Sequence, residues 1–442
     1  MGQTDNLPRG CTWPWADSSE LCSWFNMPVH TDRREDWNDI RAGNGGMTVT
    51  MLIDNMRLWD GTGQSPQPRM AVEVRDARIT WVGPAADWPG RRANVEVVDG
   101  TARTLIPGLV DCHVHYSSPG GPDWIARFTD PSAVLTLRAV ELVGASLRSG
   151  ITSAREVGAP DGLNIQLARA AAAGHILAPH LRAAGTWIAH RGTYVPFARH
   201  FGDAGELRAA IRDEIAAGAD LIKVALAPWN DGQRPDGAPE VPFDTGLLAV
   251  AVEAAHGAGL TIACHANDPE SCRIAARTGV DSLEHGTFLE ADDLAAMATS
   301  GTVLVPTLSV WDDWFFYARE MNWPAARVTR AERQRDGSRA AMAGAIRAGV
   351  RIAAGTDAGG GSVRHGRIAR EIELMIDCGM GPAAALQAAT LEGARLMGEA
   401  NERGTIEVGK IADLVLLDRN PFDDPAALRL VAGVIQAGRR VA

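Results

Sequence analysis

Along residues 107–403 the apolar and polar positions follow one repeating order, a short apolar run and then a longer Ala-rich stretch. The apolar runs are LIPGLVDCHVHY, ITSAREVG, HLRAAGTWI, LIKVALA, LTIACHAN, DSLEHGT, TVLVPTLSV and VRIAAGTDAG. Between them AVLTLRAVELVGASLRSG, ELRAAIRDEIAAG, LLAVAVEAAHGAG and PESCRIAARTGV read as helices. Parallel strands covered on both faces appear as continuous apolar runs, whereas helices show a period near 3.6. Eight such strand–helix units in about 290 residues match an α/β fold of the (β/α)8 TIM-barrel kind. A doubly wound sheet would place a Gly-rich turn after its first strand. Here Gly359-Gly360-Gly361 follows the last strand, which sets that alternative aside.

At both ends the pattern changes. From Met47, TVTMLIDNMRLWDGTG reads as a strand and turn, and AVEVRDARITWVGP as a hairpin of alternating runs. Short strands return in GTIEVGKIADLVLLDRNP and VAGVIQAGRRVA. Two distant β segments flanking an α/β middle predict a small β-sandwich domain built from residues 47–106 and 404–442, with the barrel occupying 107–403. Residues 1–46 form an extension without a clean period, and they carry Trp13, Trp15, Trp24 and Trp37. Four tryptophans are too many for a plain disordered tail. The extension is expected to pack on the barrel or on a partner subunit, and a homo-oligomer is the expected state.

Composition narrows the class. The chain has 442 residues, 46% of them hydrophobic and 22% charged, enough for a large core. A net charge of -11 reads as solubility. No Lys/Arg stripe interleaved with aromatics appears, so no nucleic-acid partner is expected. The start, MGQTDNLPRG, lacks a basic segment followed by an apolar run, and no stretch nears the roughly 18–20 apolar residues of a membrane span. A cytoplasmic protein without a membrane partner is the expectation. Six cysteines, at 11, 22, 112, 264, 272 and 378, have no regular spacing and are expected to be reduced. Cys112 and Cys264 each precede a histidine. Strand neighbours face opposite ways, so both are expected to pack behind the barrel wall.

The chemistry collects at predicted strand ends, where barrels of this kind build their active sites. Strand one ends in His113-Val114-His115, and the i, i+2 spacing puts both imidazoles on one face. Lys223 lies inside the apolar strand four, His265 ends strand five, His285 ends strand six and Asp357 ends strand eight. Each alone has an ordinary explanation, such as a core histidine, a snorkelling lysine or a turn aspartate. Their shared position on strands of one barrel does not. Imidazoles with a carboxylate suit one or two divalent metal ions; Zn²⁺ is predicted, with Mn²⁺, Fe²⁺ and Co²⁺ also compatible. A buried ammonium beside metals would be repelled. Lys223 fits such a site if its charge is reversed, as in a CO2-derived carbamate.

These strings carry a resemblance. PGLVDCHVH is similar to the first-strand signature of the amidohydrolase superfamily. VDSLEHGTFLE, AAGTDAG and ATLEGARLMG with GTIEVGKIADLVLLDRNP resemble its imidazolonepropionase-like and prolidase-like branch, so the likeness spans about residues 47–442. It implies His113 and His115 as ligands of a first metal and carboxylated Lys223 as a bridge. It implies His265 and His285 on a second metal, and Asp357 as ligand and proton shuttle. Two departures stand out. The branch's dipeptidases carry His-Ala-His on strand five, where this chain has His265-Ala266-Asn267, and a Ser-Gly-Gly turn after the lysine, where it has Ala227-Pro228-Trp229-Asn230.

Metal-activated water, a polarised carbonyl and a proton-shuttling Asp357 imply hydrolysis at a carbonyl-type carbon, at a C–N bond. Substrate choice falls to the loops. Trp124, Trp187, Trp229, Trp311, Trp314, Phe315, Phe316 and Tyr317 follow predicted strands one, three, four and seven and are expected to line an aromatic, small-molecule pocket. His190, Arg191, His200 and His365 are candidate polar contacts, and Arg191 and Arg364 candidate anchors for a carboxylate. The aromatic mouth and the altered dipeptidase signature resemble the superfamily's phenylurea hydrolases. A prolidase-like dipeptidase or other N-acyl amino acid hydrolase is the alternative. A non-catalytic scaffold of this fold would lack metal ligands, and none of the six is missing.

Overall fold

The computed structural model describes residues 50–90, 95–227 and 242–442. The extension 1–46 and Trp229 therefore lie outside the described residues. The chain begins with β1 (Thr50–Leu58), β2 (Gln67–Arg75), β3 (Arg78–Pro84), β4 (Glu96–Asp99) and β5 (Thr104–Pro107). Nine short strands follow: β6 (Leu109–Val114), β7 (Ile151–Glu156), β8 (His180–Ala183), β9 (Ile188–His190), β10 (Arg199–Phe201), β11 (Leu221–Ala225), β12 (Thr261–Ala266), β13 (Ser282–His285) and β14 (Val303–Val305). The chain closes with β15 (Leu414–Leu417), β16 (Val431–Gln436) and β17 (Arg439–Arg440).

The first five and last three strands share one eight-stranded sheet, in the order β17-β16-β15-β5-β1-β2-β3 with β4 beside β1. The alternating run over residues 71–84 is indeed a hairpin, with Ala71 opposite Gly83 and Val72 opposite Val82. Its inward positions, Ile53, Val72, Ile79, Leu105, Leu414, Leu416 and Ile435, form a core of their own.

The middle strands are all parallel and lie in two sheets, β6-β7-β8 and β10-β9-β11-β12-β13-β14. Isolated parallel bridges, Leu304 to Ile352 and Val114 to Ala358, set residues 352–358 between β14 and β6. On the other side Asp220 N donates to Ala183 O at 2.8 Å, from the start of β11 to the end of β8. The eight strands expected from the sequence thus appear as two sheets linked through isolated bridges and loop hydrogen bonds, not as one closed ladder. The interruptions have local causes. The expected third strand breaks at Gly185 (φ +76°), and the expected eighth is reduced to bridges at Ile352 and Ala358, with Asp357 at φ +55° before the second. Left-handed residues cannot continue a pleat.

Helices expected from the Ala-rich stretches are present as Ser132–Arg148, Ala204–Ala217, Thr245–Gly257 and Pro269–Arg277. They bury one face against the strands, with Leu109, Ile151, Ile222, Ile262, Leu283, Leu304 and Ile352 in one apolar cluster beside Leu207, Leu248 and Ala275. Cys112 and Cys264 are both fully buried among apolar side chains. Two further helices matter for function. Leu308–Glu320 carries the aromatic run, and Ala325–Ala348 carries a series of arginines. The run TVLVPTLSV therefore divides, its last residues opening a helix after Thr307 rather than extending a strand. Among the described residues no helix is long and apolar enough to cross a membrane.

Candidate metal centre and cavity

Asp111 sets the geometry of the site from below. Its carboxylate accepts from Thr356 N at 3.0 Å, from Thr356 Oγ1 at 2.7 Å and from His113 N at 3.3 Å. That clamps the end of β6 to residues 352–358, and Asp357 N adds a bond to His113 O at 2.8 Å. As a result Asp357 Oδ1 lies 3.5 Å from His113 Nε2 and 3.4 Å from His115 Nε2. The next turn must pass directly over both groups. A Cβ on Gly360 would overlap the His115 ring and the Asp357 carboxylate, so glycine is required by close approach. This is the role of the triple glycine that had no place in a nucleotide-binding reading.

The strand register supplies the rest. β11 pairs with β12 so that Ala225 faces His265, and β12 with β13 so that Ala266 faces His285. His265 and His285 stand 4.5 Å apart between ring centroids, and His113 and His285 5.1 Å. Lys223 Nζ is 3.5 Å from His113 Nε2. All six side chains named from the sequence as ligands are buried, and they meet at one place. His285, Asp357 and Thr307 hold φ values of +73°, +55° and +46°. Such strain persists where surrounding structure over-determines it, commonly at functional sites.

Outer hydrogen bonds orient three of the rings. His113 Nδ1 donates to Glu284 Oε2 at 2.7 Å and His115 Nδ1 to Gly158 O at 2.8 Å. Carboxylates and carbonyls only accept, so these Nδ1 atoms carry the proton and the Nε2 lone pairs face the centre. His285 Nδ1 is 2.7 Å from Thr307 Oγ1. His265 differs, because both its ring nitrogens are buried without a hydrogen-bond partner among the described residues. A buried orphan of this kind calls for a missing ligand. Burial pushes His113, His265 and His285 well below the ordinary imidazole value, and the Lys223 charge and neighbouring imidazoles push the same way. Neutral rings are the form that binds metal. One ligand atom each from His113, His285 and Asp357 lies within 4.8 Å of the others, a spacing that could hold an ion. The donor set, the fixed tautomers and the orphaned His265 all fit a divalent metal. Burial lowers the Lys223 pKa as well, against the opposing pull of Glu284 and Asp357.

A cavity of about 240 Å³ opens above this cluster. His113, His265, His285 and Asp357 line its floor, and Trp124, Trp311, Trp314 and Tyr194 its apolar walls. Trp311 is therefore where the sequence placed it. Trp187 is not: it is buried behind the site, its ring 5.2 Å from His115 and packed on Phe128 and Phe197. His190 also stays outside the lining, with its ring on Phe201 and Nδ1 3.0 Å from Arg191 O. His200 Nε2 is 3.2 Å from Val195 O, away from the cavity. Half-buried His365 stacks on Tyr116 and donates from Nε2 to Ser118 O at 2.8 Å. It ties the loop after β6 to the loop after Asp357, and burial lowers its pKa to about 4. Arg191 is paired with Glu206 at the surface. Neither Arg191 nor Arg364 lines the cavity.

Among the lining residues that escaped the sequence reading are Tyr194, Arg327, Arg330 and Gln334. The last three had a legible signal. Their i, i+3, i+7 spacing puts them on one face of a helix, but nothing in the chain shows which way that face turns. Tyr194 had none, since it sits in an irregular loop at φ +61°.

Comparison with known proteins places this geometry. The Amidohydrolase family matches residues 104–441. Ochratoxinase of Aspergillus niger is 27% identical over 456 residues, covering 96% of this chain and 90% of that protein. Among solved structures, a Xaa-Pro dipeptidase with methionine bound in its active site is similar at a TM-score of 0.79 and 28% identity, over 88% of this chain and 99% of that one. Phenylurea hydrolase B is similar at a TM-score of 0.73 and 25% identity, over 89% and 96% of the two chains.

Proposed function

Because this chain belongs to the amidohydrolase family and is a hydrolase of carbon–nitrogen bonds, we propose that it cleaves an aromatic amide or urea with the help of a bound divalent metal. The observation that carries this reading is the convergence of three imidazoles and Asp357 beneath a cavity walled by tryptophans. In the same reading the two parallel sheets and the bridged run 352–358 act as a (β/α)8 barrel spanning residues 107–403. Residues 47–106 and 404–442 make the accompanying β domain.

His113, His115, His265, His285 and Asp357 would hold the metal, with zinc best suited to the ligand set. Lys223 is the bridging candidate. As a neutral amine it adds to CO2, forming an N–C bond and releasing one proton, and the product carbamate is an anion with two donor oxygens. When bound, the metal supplies Lewis-acid polarisation of the scissile carbonyl and a water of lowered pKa. Asp357 takes the proton of the attacking water on its carboxylate and returns it to the departing nitrogen. That return is needed because an unprotonated amide nitrogen leaves poorly. Tyr194, Trp124, Trp311 and Trp314 exclude water from the reacting carbonyl and seat an aromatic group. Similarity to phenylurea hydrolase B and to a Xaa-Pro dipeptidase supports two substrate types, N-aryl ureas and N-acyl amino acids.

The test is hydrolysis of N-aryl-N′,N′-dialkyl ureas, Xaa-Pro dipeptides and N-acyl aromatic amino acids, with metal content measured on the same preparation. Turnover of at least one group, lost in D357N, is expected. A metal-replete preparation inert towards all three would overturn the proposal.

A further inference from the structure

The cavity has two chemically different sides. Besides the tryptophans of the helix Leu308–Glu320, the lining includes Arg327, Arg330 and Gln334 of the helix Ala325–Ala348. Their i, i+3, i+7 spacing makes them one stripe along the helix, and the cavity lining shows that this stripe faces inwards. Among the described residues the only carboxylate in the lining is Asp357, which lines the cavity with the imidazoles.

Arginines nearby are mostly committed to acids. Arg339 and Arg370 bind Asp312, Arg367 binds Asp313, and Arg335 binds Asp336. Arg327 is different: it has no carboxylate partner among the described residues. Its guanidinium instead lies over the Trp323 ring, with Cζ 3.7 Å from the centroid. Stacking occupies the face of the guanidinium and leaves its edge, which carries the N–H donors, free to bind in plane. A planar fork held this way matches a carboxylate bidentately. Arg327 also sits in the first turn of its helix, where the peptide dipoles add positive potential. A guanidinium held over a tryptophan ring in the lining of a cavity, without a carboxylate partner among the described residues and in a chain of net charge -11, is the feature that needs a ligand.

Resting on the hydrolase reading above, we propose that Arg327 and Arg330 form a carboxylate-binding subsite, so that the substrate is an N-acyl aromatic amino acid rather than a neutral N-aryl urea. The tryptophan wall seats the aromatic group, the arginine stripe holds the carboxylate, and the amide lies between them above the imidazoles. Gln334, with Nε2 3.4 Å from Asn267 O, braces the stripe against the loop after β12. The anchoring guanidinium groups are thus on the helix after β14, not at Arg191 or Arg364.

The experiment compares N-benzoyl-L-phenylalanine with its primary C-terminal amide on the metal-loaded enzyme. A kcat/KM preference of roughly 30-fold or more for the acid is expected, because an unpaired partner in a charged hydrogen bond is costly. R327M and R330M should reduce that preference, chiefly through KM, with R327K intermediate because it keeps charge without the fork. In parallel, binding of 3-phenylpropanoate and of 3-phenylpropan-1-ol is measured on wild type and both variants. Preferential binding of the acid to wild type, lost in R327M and R330M, supports the subsite. Equal turnover of acid and amide would overturn it and leave the hydrolase reading standing. Absence of turnover of both compounds would leave the hydrolase reading to the ureas and dipeptides tested above, and the binding comparison would then decide the subsite. If 3-phenylpropanoate binds wild type and variants alike, its carboxylate is held elsewhere and the inference falls.

Discussion

Glu284 shows how much of the site rests on one buried carboxylate. Oε2 accepts from His113 Nδ1 at 2.7 Å, while Oε1 accepts from Arg155 Nη2 at 2.7 Å and from Ser282 Oγ at 2.6 Å. Burial would raise its pKa, yet the charges of Arg155 and Lys223 hold it below the ordinary value. Glu284 therefore stays ionised and keeps the His113 proton on Nδ1. E284Q removes that charge and leaves the buried Arg155 uncompensated, an expected loss of about 3–5 kcal/mol in urea unfolding. It also frees the His113 ring, so metal affinity should fall about 10- to 100-fold in equilibrium dialysis. Unchanged metal affinity would show that His113 is oriented by something else.

At the scale of elements, the helix Leu308–Glu320 is pinned by Glu371 from the helix Ile368–Asp377. The Glu371 carboxylate accepts from Leu308 N at 2.8 Å, Ser309 N at 2.7 Å and Ser309 Oγ at 2.6 Å, satisfying the open donors of the helix start. This holds Thr307, the partner of His285 Nδ1, and aims Trp311 and Trp314 into the cavity. Burial pushes the Glu371 carboxyl up to about 7, against the hydrogen bonds from Ser309 and Leu308 that lower it. A carboxyl raised on folding binds its proton more tightly in the native state. Its favourable contribution is complete below the ordinary value of 4.5 and is lost as pH rises through about 7. The urea midpoint of wild type should therefore decline between these pH values more steeply than that of E371Q. E371Q should also raise KM for aromatic substrates, because the tryptophan wall loses its anchor. Parallel pH profiles of the two proteins would contradict the assignment.

On the scale of the whole molecule, Glu399 joins the parallel strands to the terminal sheet. Its carboxylate meets His180 Nε2 at 2.7 Å and Arg182 Nε at 2.8 Å on β8, and Arg403 Nε at 2.8 Å. Arg403 continues to Asp413, whose other oxygen accepts from Ala437 N at 2.8 Å between β16 and β17. Burial alone would raise the Glu399 pKa, but the His180 hydrogen bond and the charges of His180, Arg403 and Arg182 bring it down to about 2. The sign is opposite to that of Glu371. Stability from Glu399 is present above 4.5 and lost as pH falls through about 2. E399Q should cost about 1–3 kcal/mol at pH 7 by chemical denaturation, and the gap to wild type should close in acid. A gap independent of pH would mean that the loss is one of packing.

The α/β class, the terminal β segments and the metal-ligand candidates were all readable from the chain, because each is written in a local pattern. Alternation marks the hairpin at residues 71–84, i, i+2 spacing marks His113 and His115, and a Lys inside an apolar strand marks Lys223. Parallel strands deliver such residues to a common end whatever lies between them. What local pattern could not carry was direction. His190, His200, His365 and Trp187 have the right chemistry and follow the right strands, yet their loops turn them into hydrogen bonds and packing of their own. Arg327, Arg330 and Gln334 were not singled out by any pattern along the chain, yet they line the cavity. Strand periodicity is a property of a few successive residues, so the identity of the candidate metal centre lay in the sequence. The orientation of a loop or helix depends on contacts far away along the chain, such as Glu371 on Ser309 or Gly360 over His115, so the shape and charge of the substrate cavity emerged only on folding.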